Sequence, residues 1–71
     1  MLTSEQILAY LERLIAEARS SGNRAGLKEL QTAAGVLMAA ANYAGDKQTA
    51  YKFRVLAADA ANKYEELVGE E

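Results

Sequence analysis

Few side chains in this sequence could carry chemistry. It has no histidine and no cysteine, so the commonest general base, the thiol nucleophile and the usual disulfide or metal staple of a small domain are all missing. Ser20 and Ser21 precede a glycine, where turns favour serine, and no neighbouring residue reads as an activating base. Glu65 and Glu66 are adjacent and point apart on a helix, while Glu12 and Glu17 are out of register for sharing a ligand. A hard cation needs several converging oxygens. The expectation is a protein with no catalytic residue, no metal and no cofactor.

Two weaker signals concern anions. Gly22-Asn23-Arg24-Ala25-Gly26 places two glycines and an arginine where a helix would begin, a place an anion can occupy. A glycine stop followed by an Asn cap accounts for the same residues, with Gly26 left over for close packing. Lys47 and Arg54 share a helix side with Glu65. That is a mixed solvated face, not the clustered positive surface a phosphate backbone requires. With a net charge of −2, nucleic acid is not an expected partner, and neither is a small-molecule substrate.

The elements that would position any site are helices. The 71 residues include no proline and five glycines, and alanine and leucine outnumber β-branched residues, which favours helix. Thr3 with Gln6 forms a capping box, and Leu2 with Ile7 occupies the two positions of a hydrophobic staple. Ile7, Leu8, Leu11, Leu14, Ile15 and Ala18 follow at helical spacing. Gly22 stops this helix and Asn23 caps the next; Gly45 and Asp46 repeat the pattern. Ala50, Phe53, Ala57, Ala60, Tyr64 and Leu67 line a third helix, widened by Leu56, Ala61 and Val68. Arg13–Glu17 and Asp59–Lys63 are spaced to pair. Gly69 should end the last helix, with Glu70 and Glu71 fraying because their charge opposes the helix dipole.

These signals predict helices over about 4–20, 24–44 and 47–68. The short links make neighbours antiparallel, giving a single all-α domain, an up-down-up three-helix bundle. Alanines should let the second and third helices approach closely, with the large side chains of the first filling the remaining space. No apolar run reaches the roughly 20 residues of a membrane span. No basic-then-apolar segment opens the chain, so no signal peptide is expected, and a cytoplasmic location is.

The stretch from Leu30 to Gly45 carries no charge. Laid on a helix, Leu27, Leu30, Ala34, Leu37, Ala41 and Ala44 form one row, and Ala33, Val36, Ala40 and Tyr43 a second, together covering roughly 220° of the circumference. Burial against two neighbouring helices is expected to account for both rows. A neutral strip of Gly35, Ala39 and Asn42 is left over. On the third helix Tyr51, Val55, Ala58 and Asn62 point away from the apolar row. Outward aromatic and aliphatic residues among small ones suit an interface. These seven residues are the candidate partner-binding site, for an amphipathic helix of another protein or for a homo-oligomer.

Ala34, Leu37, Gly45-Asp46, Ala50 and Ala57 resemble the small-residue and turn positions of a tetratricopeptide repeat, with Ala41 where a tyrosine is usual. In length and three-helix layout the chain more closely resembles a microtubule-interacting and trafficking domain, with Gly22-Asn23 after the first helix and alanines along the second. Gly26 and Leu30 stand where that family tends to have Ala and Tyr. The family's domains bind short helical tails of membrane-remodelling filament subunits, so the resemblance implies a helical partner in the groove beside the third helix. The expected function is that of a non-enzymatic helical interaction module, a small adaptor or chaperone. The alternative is an engineered three-helix bundle with no natural partner.

Overall fold

Each helix begins at a polar side chain that satisfies otherwise orphaned backbone N–H groups. The computed structural model describes residues 1–70 and comprises α1 (Ser4–Ser21), α2 (Arg24–Tyr43) and α3 (Lys47–Gly69), with no strand among the described residues. Thr3 Oγ1 accepts from the Gln6 N–H (3.1 Å), and Gln6 Oε1 accepts from the Thr3 N–H (3.0 Å), closing the capping box. Asn23 Oδ1 accepts from the Gly26 N–H at 2.9 Å. Asp46 accepts from the Thr49 N–H (3.1 Å) and from the Thr49 hydroxyl (2.6 Å). Those two bonds, the hydroxyl's the larger, hold the Asp46 carboxyl below its ordinary range, with a smaller contribution from Lys52.

Both reversals use one device. Gly22 and Gly45 are left-handed (φ 70° and 80°). The N–H groups of Asn23 and Asp46 return to Ala18 O (2.8 Å) and Ala41 O (2.9 Å), the long bond of a Schellman motif. The residue that closes one helix therefore caps the next, and the chain reverses within a few residues. Gly26 belongs to this arrangement: a Cβ there would come within 2.5 Å of the Asn23 side chain, so its neighbour is the cap itself, not a packed helix.

The chain runs up-down-up. Arg19, at the end of α1, reaches Glu70 (2.7 Å) and Glu66 (3.9 Å) at the end of α3, so α1 and α3 are parallel. Lys28, early in α2, sits 4.7 Å over the ring of Tyr64, late in α3, so α2 and α3 are antiparallel. The bundle measures 41 × 20 × 15 Å. α2 and α3 approach each other most extensively, and α1 touches each more sparingly. The side chains explain this asymmetry. Ala34, Ala50 and Ala60 are buried and small, whereas α1 contributes Leu8, Leu11 and Ile15, which prop it away from the pair. Leu27, Phe53, Leu56 and Leu67 complete the core.

Several details depart from the sequence expectations. Ser20 and Ser21 lie in the last turn of α1 rather than in the turn that follows it, and the Ser21 hydroxyl donates to Ala18 O at 3.3 Å. Leu2 stays 74% exposed, so it forms little of a staple. Val68 is exposed rather than part of the apolar row. Glu70 is held by Arg19 instead of fraying, because the parallel α1 brings a cation to the carbonyl end of α3. Glu71 lies outside the described residues. The Arg13–Glu17 (3.0 Å) and Asp59–Lys63 (2.6 Å) pairs form as spaced.

Gly35 has right-handed helical backbone, and a Cβ there would meet nothing within 4 Å. Glycine in a helix interior is less stable than alanine by about 0.5–1 kcal/mol. Gly35→Ala should therefore raise the unfolding free energy by that amount, measured by urea unfolding of dilute protein. A loss of stability instead would mean that the space beside Gly35 is not open.

Candidate interaction surface

The second apolar row of α2 is not buried. Leu27 and Ala34 are fully covered, and Leu30, Leu37, Met38 and Ala41 pack at the edge of the core. Val36 is 64% exposed, Tyr43 96%, and Ala40 is also exposed. Beyond Ala34 no residue of α2 is buried. The expectation that burial covers Val36 and Ala40 is thus corrected. Both neighbours of α2 pack on the side centred on Ala34, and α1 leans on α3 as much as on α2. Two helices placed this way cannot cover a span of roughly 220°, and the outermost row faces solvent.

Next to that row lies a groove of about 630 Å³ between α1 and α2, walled by Leu11, Leu14 and Ala18 on one side and Leu30 and Ala33 on the other, with Glu17 and Glu29 at its rim. Antiparallel packing sets Leu14 beside Leu30 and Ala33. Tyr10, one turn back along α1 from Leu14, is 60% exposed. Ala33 belongs both to the groove wall and to the outer row, and α2 is uncharged from Leu30 to Gly45.

The seven residues singled out from sequence are distributed as follows. Gly35 is half-buried; Ala39, Asn42, Tyr51, Val55, Ala58 and Asn62 are exposed. Asn42 and Tyr51 come together in a shallow depression of about 250 Å³ with Met38, Lys47 and Arg54. Val55 turns the other way, into recesses shared with Glu12 and Leu56 on the α1 side. The α2 strip and the α3 stripe meet only at the Asn42–Tyr51 end. Sequence reasoning missed the α1–α2 groove and Tyr10. Their signal was present in the flank positions of Ile7, Tyr10 and Leu14, spaced three and four apart beside the main α1 row.

Among the described residues no three acidic side chains converge on a point that could hold a metal ion. Among these residues no helix is long and apolar enough to cross a membrane. No protein-family model matches the chain, and no curated protein or solved structure does either. The molecule is, as a class, an all-α three-helix bundle with one side of its central helix uncovered.

Proposed function

We propose that this chain is a non-enzymatic helical interaction module, an adaptor or chaperone-like domain that meets a partner helix or itself. The observation that carries the reading is the uncharged second half of α2, which presents Val36 and Tyr43 to water. Exposed apolar patches rimmed by polar residues mark interaction sites. The resemblance to microtubule-interacting and trafficking domains agrees with a helical partner and rests on the residues quoted for it.

Helical peptides selected from a displayed library, then mapped by chemical shift on the isotope-labelled chain, test the reading. Shifts at Ala39, Asn42 and Tyr43 are expected. Shifts confined to Tyr51, Val55, Ala58 and Asn62 would move the site to α3. A chain that binds no peptide and does not associate with itself would overturn the proposal.

An engineered bundle without a partner is the second reading. Three side-chain N-caps and two left-handed glycine turns favour it. Solvent-facing Val36 and Tyr43 tell against it, since designed surfaces avoid exposed apolar side chains.

A further inference from the structure

We infer that the groove between α1 and α2 is a second docking site, and that it takes a basic amphipathic helix of another protein. It meets the exposed flank of α2 at Ala33 and goes beyond the reading drawn from that flank.

Shape is the first argument. The groove holds about 630 Å³. Leu11 and Ala18 form its buried floor, and Leu14, Leu30 and Ala33 its half-buried walls. Leu14 lies outside the core cluster, whereas Leu30 packs against it, so Leu14 shapes the groove more than it holds the bundle. From Leu11 to Ser21 the lining runs along α1 for about 15 Å at 1.5 Å per residue, nearly three helical turns. The walls are helices, whose backbone groups bond within the helix and offer an extended peptide no ladder to join. A docked helix brings its own backbone bonds and needs only apolar side chains three and four residues apart.

Charge selects the sign of the partner. Among the described residues the charged side chains that line the groove are Glu17 and Glu29, both acidic. Glu17 lies three residues past Leu14, and Glu29 one residue before Leu30. Antiparallel packing therefore sets them on opposite edges at nearly the same level. Two carboxylates across one groove repel, and a lysine or arginine between them removes the repulsion. Arg13 reaches Glu17 at 3.0 Å, but both side chains are exposed. Such a pair contributes little, so Glu17 can turn to a docked cation. An acidic helix would meet like charge on both edges. Its complement lies elsewhere, where Lys47 and Arg54 border the Asn42–Tyr51 depression.

Titration calorimetry of the full chain tests this with two peptides. One is a 14-residue peptide of alanine, leucine and lysine with its leucines three and four residues apart; the other has glutamate in place of lysine. The lysine peptide should bind at least about tenfold more tightly, and added salt should shrink the difference. On the isotope-labelled chain its shifts should centre on Leu14, Ala18, Leu30 and Ala33. Glu17→Gln together with Glu29→Gln should weaken it about fivefold. Glu5→Gln together with Glu65→Gln makes the same change of net charge at exposed positions elsewhere and should leave binding unchanged. Leu14→Gln should weaken it about tenfold; if that variant melts early, the two glutamate pairs still decide. Equal binding of both peptides, or equal effects of the two double variants, overturns the inference. Shifts confined to the surroundings of Tyr43 or Tyr51 overturn this site and leave the broader reading standing. Failure to bind either peptide also overturns this site, whereas the broader reading falls only if the displayed library yields no binder and the chain does not self-associate.

Discussion

Phe53→Ala is expected to lose about 3–5 kcal/mol of unfolding free energy. At roughly 0.05–0.15 kcal/mol per residue, a domain this size holds about 4–10 kcal/mol in all, so the loss takes from about a third of the stability to all of it. Phe53 is 3% exposed and is the largest side chain in a core otherwise made of leucine, isoleucine and alanine. The alanines of α2 and α3 cannot move closer to fill its place, because their backbones are already in close approach. Only α1, held by fewer contacts, could settle inward. Urea unfolding followed by circular dichroism measures the outcome. A loss below about 1 kcal/mol would show that α1 does collapse onto the gap, since cavity cost falls where a site can relax.

Ala34→Leu probes the same interface from the opposite direction. Ala34 is 0% exposed, on the side of α2 that faces the core. Added methylenes there must push α2 away from α3 or force α1 outward, a strain of about 1–3 kcal/mol. Ala58→Leu, at an exposed position on α3, is the control, and a surface change of this type stays within about 0.5 kcal/mol. The contrast separates alanines that set the helix spacing from those that merely occupy surface. Equal effects at both positions would mean that the buried alanines do not govern the α2–α3 distance.

Local features of the fold were legible residue by residue. Thr3, Asn23 and Asp46 cap because a short polar side chain before an apolar period can reach a free N–H, and Gly22 and Gly45 turn because only a residue without a Cβ takes φ > 0 at no steric cost. The exclusion of histidine and thiol chemistry also follows from composition. The contacts between Arg19 and Glu70 and between Lys28 and Tyr64 were not legible, because each joins residues far apart in the chain whose meeting depends on how the helices align lengthwise.

The uncharged run in α2 separates the two kinds of knowledge. Sequence by itself determined that the helix is apolar around more than half its circumference, since that follows from identity and period alone. How much of that arc is covered is a property of three axes in space. Packing decided it: the alanines draw α3 against one side of α2, the leucines of α1 hold it at a greater distance on the other, and the flank carrying Val36, Ala40 and Tyr43 is left facing water.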